Sequence, residues 1–394
     1  MQSRSPLISL LLLWLIGNAL RMPILAVPPV VPVLRGEFHL SGTEIGILTG
    51  LPIVLFAAAA LAGSRLVARI GAVAAAIVGL LLTAAGSALR GVAPDVMILF
   101  GATVVMGAGV AIAQPAMPAL VGRWLPQRIG LATGVYTNGL LIGEILPVVL
   151  FPLLFPLLGD SWRATFVFWA APIVIVALLV VALAPREGSE KIFPSSRWWP
   201  DWPAREVWRI GLIFGSASAL YFASNAFLPV YLRVGGRADL ITPALTALNS
   251  GQLPASLLLI GFARHLERRL WPFLLAGALG VVSIAGLVTG EPDGPVIVAS
   301  ATLLGFSAGG VFALSLTLPP LLSAPQEVAR VSAAMFTISY ANAVVASVLA
   351  GAAWDATGIA RFAFLPIALS ALPLFLLTPN LRFDRKPAAI LDTA

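Results

Sequence analysis

The chain has 394 residues, of which 59% are hydrophobic and 10% are charged, and its net charge is +7. Soluble domains carry about 25% charged residues, so this composition excludes a soluble globular protein and indicates one that crosses the membrane repeatedly. Cysteine is absent, which excludes a disulfide framework, a thiolate metal site and a cysteine nucleophile. We expect no cofactor, no metal and no nucleic-acid partner.

Twelve apolar runs are long enough to cross a bilayer, which takes about 20 apolar residues. We predict helices for all of them, because only helices and closed barrels satisfy their backbone polar groups in lipid. The predicted spans cover approximately 7–34, 44–63, 72–90, 95–121, 128–157, 162–184, 207–232, 243–263, 271–290, 295–322, 330–353 and 361–380.

The basic residues predict the orientation of these spans. Most of them lie in the loops on the side of the N-terminus, and fewer, Arg90 among them, lie in the loops on the other side. Cytoplasmic loops carry the excess of Lys and Arg. The sequence therefore predicts a multi-pass protein of the cytoplasmic membrane with both termini in the cytoplasm.

A long polar segment after the sixth span divides the chain into two halves. We predict a six-helix bundle at 1–184, a cytoplasmic linker at 185–206, and a second six-helix bundle with a short tail at 207–394. Several residues recur in the second half at one constant offset: Leu51-Pro52 as Leu253-Pro254, Gly107 as Gly309, Pro118 as Pro320, Leu120 as Leu322 and Arg128 as Arg330. Two related halves are the architecture of a secondary transporter.

Two ionisable side chains are predicted to lie deep in the spans, Arg21 in the first and Glu144 in the fifth. A charge there costs about 2.5–3.5 kcal/mol on insertion scales and commonly marks a path for substrate or protons. At 1.5 Å per residue the two charges come at similar depth, so the geometry allows an ion pair. The alternative is a structural pair that only neutralises itself. Our hypothesis is that Arg21 binds an anion and that Glu144 takes up a proton when the anion removes its partner.

Neutral polar residues at similar depth are further candidates for substrate contact. In the first half they are Asn18, Gln114, Tyr136 and Asn138, and in the second half Tyr221, Asn225, Asn249, Gln252, Tyr340 and Asn342. The alternative is that these side chains join neighbouring helices by hydrogen bonds worth about 0.6 kcal/mol each.

Several stretches carry a family resemblance: ALRMPILAVPPVVPVL in span 1, PAMPALVGRWLPQRIGLATGVYTNGL across spans 4 and 5, and GFSAGGVFALSLTL in span 10. They resemble the major facilitator superfamily, and within it the cyanate and 2-nitroimidazole transporter branch. The loop GSRLVARIG resembles the basic loop of that superfamily, with Ala68 at its acidic position. The resemblance implies a carrier driven by the proton-motive force, with Arg21 at the site.

The same resemblance implies that arginines at the cytoplasmic mouth form salt bridges between the halves and act as a gate. The candidates are Arg65, Arg69, Arg264 and Arg268. The positive-inside rule alone would also place basic residues there, so both interpretations stay open.

These features together predict an all-α membrane protein with twelve transmembrane helices in two pseudo-symmetric six-helix bundles, the major facilitator fold. We expect a monomeric secondary transporter that moves a small solute, an anion such as cyanate or a carboxylate, by alternating access together with protons. An enzyme is not expected, since phosphate-loop and HExxH motifs are missing. The alternatives are a proton-driven multidrug exporter that uses Glu144, and a non-transporting membrane sensor with the same fold.

Overall fold

The computed structural model describes residues 6–40, 42–185, 198–289 and 293–381, together with residue 383. Residues that pack together form two compact units. Unit 1 draws on Met1–Pro200 and Pro325–Ala333, and unit 2 draws on Asp201–Ala324 and Ala334–Ala394. The domain limits at 184 and 207 stay a prediction, because most of the predicted linker (186–197) and the end of the tail (384–394) lie outside the described residues.

In the described part of unit 1, eight helices precede the predicted linker. They are α1 (Pro6–Leu25), α2 (Val27–Phe38), α3 (Gly42–Ile70), α4 (Ala72–Gly91), α5 (Val96–Ala113), α6 (Ala116–Trp124), α7 (Ile129–Leu157) and α8 (Trp162–Leu183). A one-residue turn at Ala26 separates α1 from α2, so the first span is a broken helix.

Unit 2 begins with α9 (Arg205–Val234), and short 3₁₀ turns connect some of its helices. The remaining helices are α10 (Ile241–Ser250), α11 (Gln252–Leu266), α12 (Trp271–Thr289), α13 (Gly294–Ser315), α14 (Leu318–Leu322), α15 (Val328–Thr357), α16 (Phe364–Leu369) and α17 (Leu372–Leu376). The first residues of α15, up to Ala333, pack with unit 1.

Helices occupy all twelve places where the sequence predicts a span. In the described part of the chain, eleven helical segments are long and apolar enough to cross a membrane. The remaining predicted span is occupied by α3, a continuous helix of 29 residues. The all-α fold with twelve membrane helices is therefore confirmed.

Glycines set the close packing of α1 against α7. Gly139 and Gly143 form a GxxxG pair on α7, a spacing that lets helix backbones approach in membranes. A Cβ atom on Gly139 would collide with the Trp14 carbonyl, and one on Gly143 would lie 2.5 Å from the Asn18 carbonyl. Because Glu144 follows Gly143 directly, this packing holds the carboxylate beside α1.

The glycines that recur between the halves make equivalent approaches in each unit. A Cβ on Gly107 of α5 would lie 2.7 Å from the Leu55 side chain of α3, and one on Gly309 of α13 would lie 2.9 Å from Gln252 of α11. In both units the glycine faces the helix that carries the repeated Leu-Pro pair. The recurrence in sequence thus corresponds to one packing arrangement used twice.

One basic residue assigned above to a loop is buried inside unit 1. Arg90 lies in the last turn of α4 and is 0% exposed. Its guanidinium lies over the Phe166 ring, with 4.4 Å between the Cζ atom and the ring centroid. The assignment of Arg90 to an exposed loop is therefore wrong, because its side chain packs inward from the end of its span.

Candidate functional site

Arg21 and Glu144 form a buried ion pair between α1 and α7. Arg21 Nε lies 3.5 Å from Glu144 Oε1, and the two side chains are 7% and 16% exposed. The Arg21 guanidinium also lies 5.7 Å from the ring centroid of Phe56 on α3. Separating a buried pair is costly unless another charge or a proton replaces the lost partner. The structure thus joins the two ionisable residues that the sequence singled out.

Asn18 on α1 and Asn138 on α7 lie on the same two helices as this pair and are connected through Trp14. Trp14 Nε1 donates to Asn138 Oδ1 at 3.0 Å, and Asn18 Nδ2 donates to the Trp14 carbonyl at 3.0 Å. Among the described residues, the buried Asn18 Oδ1 atom has no hydrogen-bond partner. The sequence did not single out Trp14, because it lies within an uninterrupted apolar run.

Tyr136 and Gln114 are both interior residues of unit 1, each 1% exposed. Tyr136 lies on α7, where its backbone carbonyl would be 2.6 Å from a Cβ atom on Gly17 of α1. Gln114 follows the last residue of α5, at the short break before α6. Tyr136 therefore belongs to the α1–α7 interface, whereas Gln114 marks a helix break.

Four of the predicted polar residues of unit 2 form one hydrogen-bonded cluster. Tyr221 Oη donates to Asn249 Oδ1 at 2.6 Å, and Asn249 Nδ2 donates to Asn225 Oδ1 at 3.1 Å. Asn225 Nδ2 donates to the Tyr221 carbonyl at 2.9 Å. Gln252 lies at the edge of the cluster, with its Nε2 atom 3.5 Å from the Asn249 carbonyl. These neutral donors and acceptors can bind a polar group without adding charge.

The two candidates on α15 have different surroundings. The Tyr340 ring lies 6.0 Å from Phe222, whose ring lies 5.0 Å from Tyr221, so Tyr340 adjoins the polar cluster through an aromatic neighbour. Asn342 Nδ2 donates to the Gly215 carbonyl of α9 at 3.0 Å. Asn342 therefore joins two helices, which is the structural alternative stated for these residues.

Arg65, one of the four gate candidates, contacts the part of the predicted linker that the structure describes. The Arg65 guanidinium lies 5.3 Å from the ring centroid of Trp198, and Ser64 Oγ donates to the Trp198 carbonyl at 3.0 Å. Both contacts lie within unit 1. Arg69 lies in the last turn of α3, Arg264 lies in the last turn of α11, and Arg268 follows α11 with a φ of 61°. Their role as a gate stays a prediction.

Known proteins resemble this chain along most of its length. The family model of the Major Facilitator Superfamily matches residues 11–347. The cyanate transport protein CynX of Escherichia coli is 31% identical over 315 residues, which cover 78% of this chain and 80% of that protein. The 2-nitroimidazole transporter of Escherichia coli is 27% identical over 369 residues, 91% of each chain.

Solved structures share the fold. The crystal structure of FucP, a major facilitator transporter in the outward conformation, has a TM-score of 0.75 and 16% sequence identity, and the match covers 96% of this chain and 99% of that one. At 16% sequence identity this similarity supports the fold alone.

Proposed function

This chain belongs to the major facilitator superfamily, and we propose that it is a proton-coupled carrier of a small anion. As a member of the family it is a multi-pass membrane protein that transports a small solute, and it is not an enzyme. The observation that carries the finer proposal is the buried ion pair of Arg21 and Glu144 at 3.5 Å.

Arg21 provides the anion site in this proposal. A guanidinium is a planar fork of N–H donors that fits carboxylate-like groups, and it keeps its charge when buried. The names of two relatives support this chemistry, since one is a cyanate transport protein and another a 2-nitroimidazole transporter. Cyanate is a small anion, and a nitro group presents two acceptor oxygens as a carboxylate does. Both could accept hydrogen bonds from a buried arginine.

Glu144 provides the coupling to protons. In the empty carrier it neutralises Arg21, and an anion that binds Arg21 takes this partner away. A buried carboxylate without a cation favours its protonated form, so anion and proton would bind together and move in the same direction. We place the carrier in the cytoplasmic membrane with both termini in the cytoplasm, because of the distribution of its basic residues, and we expect it to act as a monomer.

Thermal unfolding of the purified protein with a ligand panel tests the anion site. The panel contains cyanate, nitrate and short carboxylates on one side and lipophilic cations on the other. A ligand at 100 times its Kd stabilises by about 2.7 kcal/mol. We expect an anion to stabilise the wild type but not Arg21→Gln. The matched control is Arg163→Gln, which removes a 41% exposed arginine of the same unit and should leave stabilisation intact.

Flux in reconstituted vesicles tests the coupling. An inward gradient of the stabilising anion should carry protons inward in the wild type, and Glu144→Gln should uncouple the two fluxes. The multidrug exporter would replace the proposal if only lipophilic cations raised the thermal stability. This stabilisation would then be lost in Glu144→Gln and kept in Arg21→Gln. Absence of flux for every solute of the panel would refute the small-anion proposal.

A further inference from the structure

Arg90 is a buried cation to which the proposed anion path assigns no role. It is 0% exposed, and no carboxylate in the described part of the chain lies within ion-pair distance of it. Its Nε and Nη1 atoms are buried without a hydrogen-bond partner among the same residues. A buried charge without a counter-ion is expensive, so the remaining contacts of Arg90 must offset this cost.

The contacts of Arg90 join three helices. Its Nη2 atom donates to the Pro23 carbonyl of α1 at 2.7 Å and lies 3.4 Å from Ser87 Oγ of its own helix. Its guanidinium lies over the Phe166 ring of α8, and Ser87 Oγ donates to the Phe166 carbonyl at 3.0 Å. Pro23 lies in the last turn of α1, where the helix dipole presents partial negative charge and favours a cation.

The end of α1 is weakly held by its own backbone. In an α-helix each N–H bonds to the carbonyl four residues earlier, and proline has no N–H. Three carbonyls around the end of α1 therefore lack this bond, because the residues four positions after them are Pro23, Pro28 and Pro29. The helix also breaks here, at Ala26. The segment that carries Arg21 consequently depends on contacts from other helices for its position.

Two arginine contacts hold this segment from different sides. Arg21 reaches Glu144 of α7, while the Pro23 carbonyl two residues later accepts from Arg90 of α4. We propose that Arg90 is a positioning residue, which holds the last turn of α1 through the Pro23 carbonyl and thereby keeps the Arg21 guanidinium against Glu144. The consequence for transport rests on the proposed anion site at Arg21.

A thermal-unfolding cycle tests the positioning without any ligand. The variants are Arg90→Met, Glu144→Gln and the combination of both. If Arg90 acts through the Arg21–Glu144 pair, Arg90→Met lowers the melting temperature less when Glu144→Gln is already present. Residues that share no partner give additive losses, so additivity would overturn the proposal. If Arg90→Met does not fold, Arg90→Lys, which keeps a charged but shorter donor, enters the cycle in its place.

The matched control for the cycle is Thr83→Val. Thr83 is a buried residue of the same helix, and its hydroxyl donates within α4, to the Gly79 carbonyl at 2.8 Å. Valine removes the hydroxyl and keeps the shape. Its loss of melting temperature should be equal with and without Glu144→Gln. Non-additivity in this control as well would mean that any change in α4 reaches the pair, and the specific role of Arg90 would be refuted.

Titration calorimetry with cyanate at several pH values supplies the readout that a merely structural role would not change. We expect Arg90→Met to weaken binding by about tenfold and to flatten its pH dependence, with Arg90→Lys intermediate and Thr83→Val unchanged. The positioning role of Arg90 would be refuted if Arg90→Met bound cyanate with wild-type affinity and pH profile. If binding were also abolished in Arg21→Gln, the proposed function would stay intact. If the wild type itself binds no anion, the proposed function fails, and the unfolding cycle still decides the role of Arg90.

Discussion

The competition between Glu144 and a bound anion for Arg21 predicts that Glu144→Gln binds the anion more tightly than the wild type. Glutamine keeps the size of the side chain and removes its charge. In the wild type an anion must first displace Glu144 from a contact of 3.5 Å with Arg21. In the variant no carboxylate at position 144 competes with the anion for the guanidinium.

The size of the effect follows from the geometry of the pair. Two unit charges 3.5 Å apart attract each other by about 5 kcal/mol at an effective dielectric constant of about 20. In the wild type Glu144 regains part of this energy by binding a proton or water, since its side chain is 16% exposed. If roughly half is regained, the competition costs the anion about 2.5 kcal/mol, which is roughly a 60-fold difference in Kd.

Isothermal titration calorimetry with cyanate measures this difference, with nitrate as a second probe. Wild-type affinity should rise as the pH falls, because the proton that Glu144 takes up favours the bound state, whereas Glu144→Gln should be insensitive to pH. The matched control is Glu37→Gln, which makes the same change in the same unit at a 39% exposed carboxylate paired with Arg163. Weaker binding by Glu144→Gln, or a preserved pH dependence, would refute Glu144 as competitor and proton carrier.

Two further variants test contacts around the site, and a third tests the Glu37–Arg163 ion pair elsewhere in unit 1. Gly143→Ala adds a methyl group 2.5 Å from the α1 backbone and should lower the free energy of unfolding by about 1–3 kcal/mol, whereas Gly101→Ala, with nothing within 4 Å, should not be destabilised. Trp14→Phe removes the donor to Asn138 and should cost about 0.6 kcal/mol in chemical unfolding; an unchanged midpoint would contradict this bond. The Trp162 indole and then the Arg163 guanidinium, both on α8, donate hydrogen bonds to Glu37 and lower the pKa of its carboxyl group. Ionised Glu37 therefore stabilises the fold above its unfolded-state pKa, and this stabilisation is lost as the pH falls through its lowered folded-state pKa. Glu37→Gln should therefore flatten the acid-side fall of the melting temperature, and an unaltered slope would contradict the assignment.

The spans could be predicted closely because lipid imposes one rule on all of them. A segment of the hydrocarbon region must bond its own backbone, so the apolar runs specify both helix and length. The breaks inside spans were not predicted, although the chain contains their cause. In span 4 helix α5 ends at Ala113 and α6 begins at Ala116, and in span 10 α13 ends at Ser315 and α14 begins at Leu318. Prolines follow both breaks at equivalent positions, and each removes a donor from the turn before it.

The sequence predicted the depth of the site residues along their helices, but not which helices are neighbours. The rise per residue placed Arg21 and Glu144 at one level, but whether they meet depends on α1 and α7 being neighbours. That proximity comes from backbone contacts at glycines, such as Gly143 against the Asn18 carbonyl. Small residues were visible in the sequence, but each could have served any neighbouring helix.

Arg90 illustrates the remaining limit. A basic residue at the end of an apolar run is ordinarily the boundary between lipid and water, and the sequence gives no sign that this side chain turns inward. What makes burial tolerable is contributed by remote parts of the chain: a carbonyl 67 residues away in sequence and the ring of Phe166 on α8. One partner is a backbone carbonyl and the other an apolar ring, so a search of the sequence for oppositely charged residues would find neither. A buried arginine that binds a carbonyl at a proline-weakened helix end is therefore recognised only once the helices are in place.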